Sequence, residues 1–329
     1  MKEKISIDPI DARILKMLLK ESRTSFTEIA KDCKISVGAA RMRYNHLKKA
    51  GIINGEIMQV NPYSLGYMCI GNIGIDTSVE NKDAVIEFLK KKDPHAQLWE
   101  YWGKNNIGLL VAKKNVEDWA EELRGLDSIP HIKMVDPLIW IEPVGMDHSE
   151  NLEIKSLKQE KTIQQPPTAI SKEQAEIDEI DRQIAKILVH GSRTSFRKIA
   201  KHLHISTKNV IQRYKKLRKN VLSVSTITLD LKKLGYNALA AIFLKGERSK
   251  MEEIGNKILQ SPNIIVFYRV IGSYDLRAIV ALEDLSSLIR LQKEIRTIHG
   301  VEQVDFAITD IFPAWPVNNF ASLLNKETN

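Results

Sequence analysis

The sequence predicts an α+β chain in which a basic three-helix head is followed by a sheet-forming body, the pair being written twice in tandem. Three observations predict it. The first is an internal repeat. Residues 7–49 align without a gap against 177–219 with 21 identities in 43 positions, and SRTSF recurs at 22–26 and 192–196. Further on the offset falls from 170 to 169: Leu65-Gly66-Tyr67 matches Leu234-Gly235-Tyr236, Gly103 matches Gly272, and Val135-Asp136 matches Val304-Asp305. The second is periodicity, which changes from a helical spacing to short apolar runs at the same place in each copy. The third is charge. Residues 1–62 carry 12 basic and 7 acidic side chains and residues 171–230 carry 13 and 6, against 12 and 17 in 63–170 and 12 and 11 in 231–329. Basic heads on near-neutral or acidic bodies fit a polyanion-binding unit.

Composition narrows the class. At 329 residues the chain exceeds the usual single-domain size, and 43% hydrophobic with 27% charged residues is enough to build cores. No apolar run approaches the roughly 18–20 residues of a membrane span. The opening MKEKISIDPIDARI lacks the apolar stretch of a secretory signal. Cys33 and Cys69 are the only cysteines, which excludes a disulfide framework and a Cys-based zinc site and predicts a reducing, cytoplasmic setting.

In the first head, Ile10, Ile14, Leu15, Leu18 and Leu19 recur at helical spacing behind the acids Asp8 and Asp11. Ser25 with Glu28 three residues on predicts a capping box for a second helix. Ser36 predicts the cap of a third helix with Ala40, Tyr44 and Leu47 facing inward, stopped at Gly51 and followed by a wing strand through Ile53, Gly55 and Ile57. The second head repeats this at Ile184, Leu188, Ser195, Ile199, Ser206, Val210, Tyr214 and Leu217, with Asn220 in place of the glycine and expected to supply the same left-handed stop. Two short helices joined by a tight turn, basic on one face, describe a winged helix-turn-helix.

The bodies read as strand, helix, two strands, helix, strand. Apolar strands fall at 69–75 and 238–244, amphipathic helices at 83–91 and 251–259, strands at 109–112 and 276–282, second helices at 116–123 and 285–295, and closing strands at 133–141 and 302–308. That order is a ferredoxin-like βαββαβ sheet with helices on one face. The expected boundaries are heads at 1–62 and 173–230, bodies at 63–149 and 231–329, and a polar, Gln-rich tether at 150–172 containing Pro166-Pro167.

SRTSF-x-x-IA followed by I-S-x-x-x-x-x-x-RY-x-x-L, behind an aspartate-led first helix, closely resembles the Lrp/AsnC family of transcription regulators. Where that family usually has Gly-Leu-Ser, this chain has Lys34-Ile35-Ser36 and His204-Ile205-Ser206. The resemblance continues through the Leu-Gly-Tyr triplets and through Val270-Ile271-Gly272-Ser273-Tyr274-Asp275, which is similar to the family's V-x-G-x-Y-D turn between the second and third body strands. It covers nearly all of both copies apart from the tether and the last dozen residues. It implies a body that dimerises and often senses an amino acid. The family normally carries one module per chain, so two imply a covalently fused dimer.

The reading is a sequence-specific DNA-binding transcription regulator without catalysis, cofactor or metal, its partners being double-stranded DNA, an amino-acid-like effector and further copies of itself. On the third helices, Val37, Gly38, Arg41 and Met42 are expected toward a groove, as are Thr207, Lys208, Ile211 and Gln212, with Asn209 able to pair with a base edge. Arg43, His46, Lys48, Arg213, Lys215, Lys216 and Arg218 are expected nearer phosphates, and Ser36 and Ser206 open the two helices. The plainer alternative is a solvated basic helix face. Effector binding is assigned to Gly272, Ser273, Tyr274 and Asp275, with Gly103 and Asn106 at the matching turn, where the acid is lost; the alternative is a tight turn without ligand.

Two other functions remain in play. Fused proteins of this architecture include the sirohaem decarboxylases, which resemble the same family and act on a tetrapyrrole. That resemblance implies a His before the third body strand, where this chain has Gly103 and Gly272. A weakly specific DNA-architectural protein differs from a regulator only in discrimination. His95, His131 and His148 have no partner at metal-ligand spacing, and Trp99, Tyr101 and Trp102 line either a pocket or a core.

Overall fold

A computed structural model describes residues 7–142, 151–156 and 171–325. His148 and Pro166-Pro167 lie outside the described residues.

Each head is three helices followed by a strand: α1 (Pro9–Lys20), α2 (Phe26–Cys33), α3 (Val37–Lys49) and β1 (Ile53–Val60), then α6 (Glu179–His190), α7 (Phe196–His202), α8 (Thr207–Asn220) and β7 (Leu222–Leu229). Local chemistry accounts for the boundaries. The Ser25 side chain accepts from Glu28 N while Glu28 accepts from Ser25 N, the reciprocal pair that a capping box requires. Ser36 and Ser206 cap α3 and α8 in the same one-sided way. Lys34 and His204, where the family usually has glycine, are held at φ 55° and 54° by the tight turn into the third helix.

One stop signal fails. Asn220 was expected to take the left-handed turn that Gly51 takes at φ 67°, yet it is the last residue of α8, followed by Val221 at φ −94°. Asn61 supplies the reason: its side-chain amide donates to the Asn220 carbonyl, so the helix end is satisfied from outside.

The strands after the heads do not fold back as separate wings. β1 and β7 pair with each other, antiparallel, with Ile57 opposite Thr226. Each also packs across: Met58 and Val60 of β1 join the core of the second head with Ile184, Leu188 and Leu217, while Ile227 and Leu229 of β7 join that of the first with Leu15, Leu18 and Leu47. Neither head core is complete without a strand from the other copy.

The bodies comprise β2 (Cys69–Thr77), α4 (Lys82–Lys92), β3 (Gln97–Glu100), β4 (Trp102–Gly103), β5 (Ile107–Lys113), α5 (Val116–Asp127) and β6 (Ile132–Glu142), then β8 (Ala238–Gly246), α9 (Met251–Leu259), β9 (Ile264–Ile271), β10 (Leu276–Leu282), α10 (Leu285–Arg296) and β11 (Val301–Thr309). The strand order β3-β5-β2-β6-β9-β10-β8-β11-β4 joins the two bodies at both edges. β6 meets β9, with Trp140 opposite Val270, and β11 meets β4, with Ala307 opposite Gly103. Because β3 and β4 are consecutive in the chain, the sheet closes on itself. Strand alternation then sorts the side chains. Ile73, Ile75, Leu109 and Val111 face out under α4 and α5, and Ala240, Ile242, Leu276 and Ala278 face out under α9 and α10. Asn72, Leu110, Ala241, Phe243 and Arg277 lie on the opposite, inner faces.

The expected tether docks in part, and the segment after β11 docks as well. Part of the tether is anchored: Leu152 and Ile154 are buried in the first head's core, and the Tyr236 hydroxyl donates to Glu153 O at 2.7 Å. Their two apolar side chains inside a polar stretch are the reason. The segment after β11 runs back along β1 and β7, where Trp315 and Leu229 exchange backbone hydrogen bonds of 3.0 and 2.7 Å and Asn318 donates to Met58 O and Val189 O.

Candidate nucleic-acid interface

The third helix of each head buries one stripe, Ala40, Tyr44 and Leu47 in α3 and Val210 and Leu217 in α8, and leaves the rest to solvent. Val37 is 43% and Met42 66% exposed, large values for apolar side chains on a helix of a folded head. Gly38, Arg41, His46 and Lys48 are exposed beside them, as are Thr207, Lys208, Gln212, Lys215 and Lys216 on α8, while Ile211 is half-buried.

Several residues expected at phosphates are held elsewhere. Arg43 donates to Asp8 at 2.6 Å and to Asp11 at 2.8 Å, tying α3 to the start of α1. Arg213 does the same to Asp178 at 2.6 Å and Asp181 at 2.7 Å, and its Nε donates to Asn209 Oδ1 at 2.8 Å. The retained arginine is therefore a scaffold, and Asn209's acceptor is taken rather than offered to a base. Lys48 pairs with Glu56, Lys216 with Asp181, and Arg218 reaches across to Glu21 at 3.2 Å and to the carbonyls of Leu222 and Ser223. Ser36 and Ser206 spend their hydroxyl acceptors on the caps. Arg41, Lys49, Lys208, Lys215 and Lys219 are exposed with no carboxylate partner among the described residues, and they are the cations that the third helices leave available.

The ion pairs leave a signature in the carboxylates. The Arg213 hydrogen bond holds Asp178 below the usual carboxylate range. At Asp8, burial works the other way, but the Asp11 amide and Arg43 outweigh it and the carboxyl is also lowered. Burial, with help from Glu56, pushes the Tyr44 phenol well above its ordinary value.

The SRTSF segments form the contact between heads. Ser22 Oγ and Ser192 Oγ lie 2.6 Å apart. Arg23 donates to Ser192 O and, at 3.1 Å, to Thr194 O, with its guanidinium 4.3 Å from the Phe196 ring centroid. Arg193 returns the contact to Ser22 O and, at 3.0 Å, to Thr24 O, 4.9 Å from Phe26. Each arginine satisfies carbonyls at the other copy's helix entry and stacks on its aromatic pair. Arg23 and Arg193 were missed as interface residues because Ser25 and Phe26 already explained the motif as a helix start. The surplus identity of Arg and Thr was the signal.

The turns assigned to an effector are occupied by protein. Gly272 needs its missing Cβ because one would sit 2.4 Å from Pro137 O, and at Gly103 one would sit 2.5 Å from Phe306 O. The close approach is made by the other body's strand. Ser273 donates to Asp136, Tyr274 donates to Asp305, and Asp275 accepts from Gly246 N at 3.1 Å. Asn106 clamps Thr77 with both ends of its amide, the same strand end in the first body. These turns hold strands and bodies together. Among the described residues no cluster of three or more His, Cys, Asp or Glu is placed to hold a metal ion, and no helix is long and apolar enough to cross a membrane.

Comparison with known proteins places this architecture. A winged helix-turn-helix DNA-binding domain matches residues 7–54, an AsnC-type helix-turn-helix domain matches 177–218, and the Lrp/AsnC ligand binding domain matches 237–309. The HTH-type transcriptional regulator LrpA of Pyrococcus horikoshii is 36% identical over 137 residues, 41% of this chain and 97% of its own length. An uncharacterized HTH-type transcriptional regulator of Pyrococcus furiosus is 34% identical over 131 residues, 40% of this chain and 88% of its own. The chain belongs to the Lrp/AsnC family of DNA-binding transcription regulators. Over nearly the full length it is similar in fold to the siroheme decarboxylase NirDL, with a TM-score of 0.64, 15% identity, and coverage of 96% of this chain and 97% of that one.

Proposed function

We propose that the chain is a sequence-specific regulator in which two fused Lrp/AsnC modules act as one covalent pseudo-dimer. The observation that carries this is the reciprocal Arg23 and Arg193 clasp, which with the β1–β7 pair relates the heads by an approximate two-fold. That is the relation a pair of recognition helices needs to enter successive major-groove segments. Val37, Arg41, Met42 and His46 on one helix, and Thr207, Lys208 and Gln212 on the other, face the DNA in this reading. They differ between copies where the clasp and the Asp–Arg scaffold do not, so the two half-sites are unlike. Phosphate affinity rests on Arg41, Lys49, Lys208, Lys215 and Lys219. Domain limits follow the repeat, with β1 and β7 as the shared seam between heads and bodies.

A mobility shift on the chain's own upstream region tests the reading. A discrete complex that resists unrelated competitor DNA and weakens steeply with salt is expected, each phosphate contact contributing a slope of about −0.9 in log K against log salt. A complex dispersed equally by any duplex would make it an architectural protein.

A second reading has one observation in its favour. The fold of a siroheme decarboxylase is matched across both copies, and a second structure of that enzyme is a co-complex with an iron-uroporphyrin III analogue. Against it stand the glycine turns packed shut by β6 and β11, and an interior cavity of only about 60 Å³, too small for a macrocycle without rearrangement. Absence of DNA binding at low salt, together with saturable binding of an iron tetrapyrrole, would establish this alternative.

A further inference from the structure

The closed sheet encloses a cavity of about 60 Å³ between the two bodies, capped by the segment after β11 through Phe312, Trp315 and Asn319. Arg277 projects into it from β10 and is 3% exposed. Its Nη2 donates to Tyr101 Oη at 2.8 Å and its Nη1 donates to Tyr268 Oη, whose hydroxyl donates on to Asn72 Oδ1 at 2.6 Å. The Nε has no hydrogen-bond partner. No carboxylate pairs with this guanidinium among the described residues. In the heads, the part-buried Arg43 and Arg213 each face two carboxylates, while Arg23 and Arg193 rest on carbonyls of the other copy. An arginine stays charged at any ordinary pH, and burying that charge without an anion is costly.

The repeat shows that nothing in the fold demands the charge. Moving back 169 residues, Arg277 corresponds to Gly108, whose place is covered by the Tyr101 ring, at 2.4 Å from where a Cβ would lie. Around it Tyr268 answers to Trp99, Asn72 to Ala241, Trp140 to Thr309 and Tyr101 to Val270. The outward faces of the same strands, under the helices, stay apolar in both copies. Divergence is thus concentrated on the lining of this one space, and it assembles a single off-axis site with its cation from the second copy and a phenol from the first.

We propose that this cavity binds a short-chain monocarboxylate of about two to four carbons, the anion taking the free Arg277 Nε and the stem lying among Trp99, Trp140 and Leu110. The volume suits such a ligand, since a single water needs about 10–15 Å³ and a tetrapyrrole several hundred. A carboxylate is the geometric match to a guanidinium edge. The inference does not depend on DNA binding by the heads.

The test uses the intact chain with sodium propionate, propionamide and sodium chloride as probes at constant ionic strength, read by tryptophan fluorescence and by the thermal midpoint. Saturable quenching and a raised midpoint with propionate, with propionamide weaker by roughly ten-fold or more, are expected. An equal response to propionamide, an equal response to chloride, or no response to propionate overturns the proposal. Arg277→Gln is expected to abolish the propionate response. Because that variant also strips Tyr101 of a donor, Ala241→Val, which narrows the cavity and leaves the arginine in place, is the second arm. Its retention of full propionate binding contradicts the assigned location.

Discussion

The heads and the sheet interior use the same duplication in opposite ways. In the heads, residues identical between copies are those that meet across the approximate two-fold or hold each head together: Arg23 and Arg193, Asp8–Asp11–Arg43 and Asp178–Asp181–Arg213. In the interior, equivalent positions diverge, and a charged residue stands where its counterpart is glycine. A repeated segment is free to vary where nothing reciprocal constrains it. The exposed faces of α3 and α8 and the lining of the cavity are the places where the two copies vary most in this way.

The largest effect is expected at Asp181, whose carboxylate is fully buried and accepts from both Arg213 and Lys216. Asp181→Asn should cost about 2–4 kcal/mol in chemical denaturation, because the buried side chain loses its charge and its charge-assisted hydrogen bonds from the part-buried Arg213 and the exposed Lys216. Asp11→Asn, with Arg43 as its one cationic partner in the structure and more solvent at hand, should cost less, about 1–3 kcal/mol. Equal losses would mean that the two scaffolds are interchangeable.

Next come Arg23→Ala and Arg193→Ala. Each removes two hydrogen bonds to carbonyls and a cation–π contact, about 2–3 kcal/mol, and the two losses should agree within about 0.5 kcal/mol. Strongly unequal losses would break the approximate two-fold. Arg277→Met should be milder than Asp181→Asn, about 1–2 kcal/mol, since replacing a buried, unpaired charge with an apolar side chain recovers desolvation while stranding one phenol. A loss as large as that of Asp181→Asn would make Arg277 a structural residue.

The smallest effect concerns acid. Asp8 and Asp178 have folded pKa values below the unfolded one, so their contribution is complete above about pH 4 and disappears as pH falls through the lowered values. The double variant Asp8→Asn, Asp178→Asn should flatten the acid limb of the thermal midpoint against pH. An unchanged acid limb would assign it to other carboxylates.

Local signals were legible in the sequence and reciprocal ones were not. The cap at Ser25 and Glu28 involves neighbours three residues apart, and the apolar runs of β5 and β8 each lie within one strand. Arg43 looked like a phosphate contact because its helix face is basic, while its anions sit 32 and 35 residues earlier. The joint recurrence of Asp8, Asp11 and Arg43 at one offset could have revealed the pairing. The Asn220 stop failed because Asn61, far back in the chain, completes that helix end. The turn at Gly272 was read correctly as a close approach, but the strand that approaches belongs to the other body.

The most direct test of the central claim is selection of binding sites from random duplex DNA by the intact chain and by a variant carrying the α8 surface residues on α3. The wild-type chain should select an asymmetric site with two unlike halves, and the variant a palindrome built from the second half. Selection of the same site by both would contradict a pseudo-dimer with two separately reading heads.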